Sequence, residues 1–162
     1  MSQTFAEFLR QKAAEHGTET ETNKATIAEW CEAVRRLFDQ IRNWLKQSDP
    51  SGIVTIDETE VVMSEPGLGR YSVPALNLRV FDKWVGLLPK ARRTIGTAKP
   101  PWKSAPERAA GRVDMTDEVR RYFLYRLSTA DGDAWYIEDQ LSSGQQVLDR
   151  QTFETALMSY LK

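Results

Sequence analysis

The stretch RRYFLYRLSTADGDAWYIED, residues 120–139, decides how this chain folds. Arg121, Phe123, Tyr125 and Leu127 fall on one parity and Tyr122, Leu124 and Arg126 on the other, the two-residue period of a β-strand. TADGD then supplies turn residues, and AWYIED resumes with aromatic and β-branched side chains, so the stretch predicts a hairpin. Both parities are partly apolar. A sheet with that pattern is covered by helices on one side and only partly exposed on the other.

Moving upstream, GRVDMT (111–116) predicts another strand, and YSVPALNLRVF (71–81) and WVGLLPKAR (84–92) flank Asp82-Lys83 as a tight hairpin. Pro74 places the start of the first of these at an edge or a bulge, because proline has no N–H to give a neighbouring strand. GIVTID and EVVMSE read as a strand pair or one interrupted strand, followed by the loop PGLGR. The helical signals lie at the two ends. Phe5, Phe8, Leu9 and Ala13 predict a short amphipathic helix from Gln3 to about Glu15, stopped by His16-Gly17, with GTETETN (17–23) as a connector. A second helix is expected from about Lys24 to Gln47, opened by Thr26 and Glu29 as a capping box. Its apolar positions Ile27, Trp30, Cys31, Val34, Leu37, Phe38, Ile41, Trp44 and Leu45 form two overlapping seams. A face that broad packs on a sheet and a helix together rather than along a coiled-coil seam. Asp149 is a good N-cap for the last helix, with Leu148 and Phe153 placed as a hydrophobic staple.

The reading is a single α+β domain over residues 1–162. It has two N-terminal helices (1–48), an antiparallel sheet of about five to seven strands (52–140) with a basic loop at 93–111, and a C-terminal helix (149–162) packed on one sheet face. The size suffices for a real core without metal or disulfides. Cys31 is the only cysteine, and MSQTFAEFLRQKAAEHG predicts neither signal peptide nor membrane anchor, so a cytoplasmic protein without membrane partners is expected.

Several chemistries find little support. The one imidazole, His16, is placed at a helix end, where its charge would suit the macrodipole. Cys31 lies on the broad apolar face as a buried thiol. Gly67-Leu68-Gly69-Arg70 fits neither glycine-rich phosphate fingerprint. Asp131-Gly132-Asp133 lacks the later acidic ligand of a calcium loop and reads as a hairpin. Of the remaining acids, Glu138-Asp139 at a strand end is the pair that could serve a metal-dependent enzyme. No cofactor is read from the sequence.

The net charge of −1 hides a block structure. Residues 1–66 hold 7 basic and 12 acidic side chains, residues 67–112 hold 10 and 2, and residues 113–162 hold 5 and 9, giving −5, +8 and −4. Within the basic block, KARRTIGTAKPPWK (90–103) carries five cations, a Pro-Pro pair and Trp102, and no acid. The candidate binding residues are Lys90, Arg92, Arg93, Lys99, Trp102, Lys103, Arg108 and Arg112. Three readings follow: docking of an acidic protein partner with Trp and Arg as anchors, phosphate contact with Trp102 stacked on a base, or a solvated crossing loop with Trp102 tucked back. If the strand ending in KAR continues to residue 93, Arg92 and Arg93 point to opposite faces and only one of them joins any patch. The expected function is a non-catalytic protein-interaction or regulatory domain using the 90–112 segment and an exposed sheet face. Weak nucleic-acid binding by the same loop is the alternative, and a metal-dependent enzyme built on strand-end carboxylates the third. Acids from the flanking blocks decide whether the positive patch survives folding.

Overall fold

The computed structural model describes residues 2–142 and 144–162. Among the described residues, two helices and a seven-stranded antiparallel sheet make up an α+β architecture. Helix α1 runs unbroken from Phe5 to Ser48, so the two N-terminal helices expected from the sequence are one. Thr4 is its N-cap, in a capping box with Glu7; Thr26, expected to open a second helix, lies inside it and donates its hydroxyl to the Thr22 carbonyl. The connector expected at 17–23 is helical because nothing there enforces a stop. A glycine inside a helix costs only about 1 kcal/mol, Gly17 does not take the left-handed conformation of a C-terminal glycine, and no proline follows. Thr18, Thr20 and Thr22 donate their hydroxyls to carbonyls four residues back. His16 is consequently mid-helix and exposed.

The broad apolar face does what its width predicts. Trp30, Ala33, Val34, Phe38 and Ile41 are fully buried against the sheet, and Trp44 stacks at 5.7 Å on Phe153 of the C-terminal helix α2 (Arg150–Leu161). Cys31 is buried and donates its thiol to the Ser72 carbonyl at 3.3 Å; burial pushes its pKa up, away from reactivity. Asp49 ends α1, and its carboxylate accepts the Ile53 and Val54 N–H groups, turning the chain into the sheet.

The strands are β1 (Thr55–Glu65), β2 (Gly69–Val80), β3 (Lys83–Ala91), β4 (Thr97–Ala98), β5 (Glu107–Arg108), β6 (Arg112–Thr116), β7 (Arg121–Thr129), β8 (Gly132–Asp139) and β9 (Gln145–Val147). The main sheet has the order β1-β2-β3-β6-β7-β8-β9, and β4 and β5 pair with each other apart from it. β1 is continuous, so GIVTID and EVVMSE belong to one strand rather than two. β2 pairs with β3 only from Leu76 onward, which leaves Pro74 in the stretch bonded to β1 alone and makes its missing N–H harmless there. That free ribbon twists over α1: Tyr71 and Val73, on the opposite parity from Leu76 and Leu78, all join the same core.

The two parities of β7 are both buried, by different means. Tyr122 and Leu124 face the helices in the main core. Phe123, Tyr125 and Leu127 face away, and the link from β3 to β6 covers them. This link, residues 92–111, is not a free loop. It folds as a strap whose Ala98 and Ala109 are buried with Tyr125, Leu127 and Tyr136, and whose Gly96 lies so close to the Tyr125 ring that a Cβ there would come within 2.2 Å. α2 is signalled as expected, with the Asp149 side chain accepting from the Thr152 N–H at 2.8 Å and Leu148 and Phe153 both buried.

Candidate functional site

Glu65, at the end of β1, organises the region where the strap begins. It is buried, and its carboxylate accepts the Arg92 N–H at 3.0 Å, the Arg93 N–H at 3.0 Å and the Tyr71 hydroxyl. Burial and that carboxylate push the Tyr71 pKa up, which keeps the phenol a donor. With both amides held, β3 stops at Ala91 and the chain turns. The opposite-face constraint on the double arginine therefore does not apply: Arg92 and Arg93 line the same concavity. Arg120 and Arg121, which do straddle a strand start, reach different acids, Asp139 and Asp114.

The concavity has a volume of about 400 Å³ and is lined by Arg92, Arg93, Thr94, Arg108, Ala109 and Ala110. Arg93 lies over Gly67, where any Cβ would come within 2.4 Å of its Nη1. Arg108 donates Nε to the Thr94 carbonyl at 2.8 Å, a neutral partner that fixes the side chain without cancelling its charge. Arg92 Nε is 3.6 Å from Glu29 of α1 and makes no hydrogen bond. Glu29 is held mainly by Arg126, a fully buried guanidinium on β7 that also bonds Asp133 at 2.8 Å and the Ala110 carbonyl at 3.3 Å. Of the three pocket arginines only Arg92 has a carboxylate near it among the described residues, and that carboxylate is already engaged by Arg126, so the pocket stays positive.

The other candidates from the sequence scatter. Arg112 forms a bidentate pair with buried Asp114 at 2.8 and 3.2 Å, its guanidinium 4.8 Å from the Phe123 ring. Arg121 reaches the same carboxylate at 2.6 Å, so these two cations are internal structure. Lys103 pairs with Glu107 across the strap's own hairpin. Lys99 is exposed and anchored through its backbone, its N–H donating to the Gln145 side chain at 2.9 Å. Lys90 is half-buried on β3. Trp102 does not tuck back: it is 75% exposed at the strap's outer turn. Among the described residues, the acids paired with cations of the basic block are Glu29, Asp114 and the block's own Glu107, whereas Glu65 serves backbone amides.

The strand-end carboxylates do not converge. Asp139 is held below the usual carboxylate range, chiefly by the Leu141 N–H and also by Arg120, while burial pushes Glu138 up. The two lie opposite Tyr122 and Phe123, on different sheet faces, so they cannot share a substrate or a metal. Asp133 is taken up by Arg36 and Arg126. Among the described residues no three histidine, cysteine or acidic side chains gather as a metal site.

A second concavity of about 480 Å³ lies between α1 and β8–β9, with Trp44, Trp135, Val147 and Leu148 around the Arg36–Asp133 pair. Reasoning from the sequence missed it, because Trp44 reads as part of the apolar helix face and Trp135 as a strand residue, with nothing along the chain to bring them together. The sheet face away from the helices has a further shallow concavity lined by Asn77, Trp84, Gly86 and Leu88, of which Trp84 is exposed. The chain matches no protein-family model, no curated protein and no solved structure.

Proposed function

We propose that this protein is a non-catalytic interaction module that captures an acidic segment of a protein partner on its strap. The observation that carries the reading is the Arg92–Arg93–Arg108 pocket, in which three arginines line one concavity, Arg108 is fixed by the Thr94 carbonyl, and only Arg92 has a carboxylate nearby among the described residues. Guanidinium forks bind carboxylate and phosphate oxygens bidentately, which gives orientation as well as attraction. Trp102, exposed on the same strap, and the exposed Trp84 on the sheet face supply the apolar contact that an interface core needs.

The exposed Trp102 beside Lys99 also suits a stacked base, the alternative of single-stranded nucleic acid. The pairing of Lys103 with Glu107 and of Arg112 with Asp114 removes two phosphate contacts from that reading and favours the protein partner. The test is calorimetry with a glutamate-rich peptide and, separately, a single-stranded oligonucleotide. The peptide binds, and Arg93→Ala and Arg108→Ala each weaken it by about tenfold, the usual cost of one charge-assisted contact. Peptide affinity unchanged in the Arg92→Ala/Arg93→Ala/Arg108→Ala triple variant overturns the proposal. Preferential binding of the oligonucleotide, with a steep fall in salt, transfers the site to nucleic acid.

A further inference from the structure

The first half of α1 is a bare arm. None of residues 5–26 is buried, and Phe5, Phe8 and Leu9 are 74%, 43% and 50% exposed at its tip. At about 1.5 Å per residue the arm extends roughly 33 Å from the body. Helices in water draw most of their stability from packing, and this one contains Gly17 and four threonines, residues of modest helix propensity. An arm of this kind requires a covering surface, and its charges say which one.

The ionisable residues of the arm are Glu7, Arg10, Lys12, Glu15, His16, Glu19, Glu21 and Lys24. Reflected about the midpoint between residues 15 and 16, every one meets a residue of opposite character: Glu7 with Lys24, Arg10 with Glu21, Lys12 with Glu19, and Glu15 with His16. A two-fold axis through that point relates two antiparallel helices. Parallel pairing in register would set each charge against its own copy. We propose that the arms of two copies of this chain pair antiparallel about this axis.

The apolar residues fit the same arrangement. Phe5, Phe8, Leu9, Lys12, His16, Glu19, Asn23 and Ile27 follow one helical stripe, which continues into buried Trp30 and Val34. Pairing on this stripe brings Phe5, Phe8 and Leu9 of one copy to Asn23, Thr26 and Ile27 of the other, where the arm enters the body, and removes the exposed rings from water. Lys12 and Glu19 lie on the stripe and Glu15 on its flank, so they meet directly. Arg10, Glu21, Glu7 and Lys24 lie on the outer sides and contribute only through the longer-range field. The intrahelical Lys12–Glu15 pair at 3.3 Å is exposed and gives way at little cost.

Sedimentation velocity of the full chain over a concentration series tests this. The unsubstituted protein passes from monomer to dimer. Lys12→Glu sets glutamate against Glu19, and Glu19→Lys sets lysine against Lys12; each turns two symmetry-related pairs repulsive and raises the dimer Kd by about tenfold or more. Both positions are exposed on the arm, so the body keeps its fold, and near-UV circular dichroism from its buried aromatic residues stays unchanged. An equimolar mixture of the two variants restores both attractive pairs in the mixed dimer and associates as the unsubstituted protein does. A chain that stays monomeric throughout, single variants that dimerise normally, or a mixture that associates no better than its components each overturns the proposal.

Discussion

Arg126 is the residue on which the strap, α1 and the sheet converge. Its guanidinium is buried, and it joins Glu29 on α1, Asp133 on β8 and the Ala110 carbonyl of the strap. The hydrogen bond from Arg126 is the main cause that holds Glu29 below the usual carboxylate range, opposed by partial burial and helped by the charges of Arg126 and Arg92. A depressed carboxylate contributes stability above its unfolded pKa, and that contribution is lost as pH falls through the folded one. Arg126→Met removes the donor while keeping the apolar stem. The variant is expected to lose about 2 kcal/mol in chemical denaturation, because Asp133 keeps Arg36 and Glu29 can turn to water. Its Glu29 resonance, followed by carboxyl NMR, titrates at higher pH than in the unsubstituted chain, and the acid limb of the stability curve becomes shallower. A Glu29 titration that does not move would mean the depression has another source.

At the scale of elements, the strap is held by shape more than by hydrophobicity. Its contact with Tyr125 depends on Gly96, which has no side chain to intrude on the ring. Gly96→Ala is expected to lift the strap at a cost of about 1–3 kcal/mol. Hydrogen exchange then accelerates across residues 93–111 while α2 and β1–β3 keep their protection; equal protection in both proteins would show the contact to be incidental. The same chemistry explains what the sequence could and could not disclose. The β7–β8 hairpin, the broad face of α1 and the capped α2 each carry a strong periodic or capping signal, and all three form. The strap buries Ala98 and Ala109, small residues whose burial comes from the tyrosines opposite and leaves no pattern along the chain. The arginine pocket depends on Glu65, twenty-seven residues before Arg92, so the candidates could be named but not sorted. The continuity of α1 was hidden because Gly17 stops a helix only when it adopts a left-handed conformation.

For the whole molecule, the three charge blocks seen along the sequence interleave in space. Acids of the first and last blocks reach into the middle one at Glu29 and Asp114, and Arg92, Arg93 and Arg108 gather in one pocket where the two ends of the strap meet. The arm and the strap then give the protein two surfaces with different chemistry. Two copies joined by their arms would hold two strap pockets in a fixed relation, so that a partner with repeated acidic segments gains in avidity without any new contact. The distribution of indoles adds an optical consequence. Trp30 is fully buried beside Trp135 and Trp44 is half-buried, whereas Trp84 is 40% and Trp102 75% exposed. In a Trp84→Phe variant, iodide quenching of tryptophan emission reports chiefly on Trp102, and occupation of the strap by an acidic peptide reduces that quenching. The strap carries its own fluorophore, and its occupancy can be followed without a label.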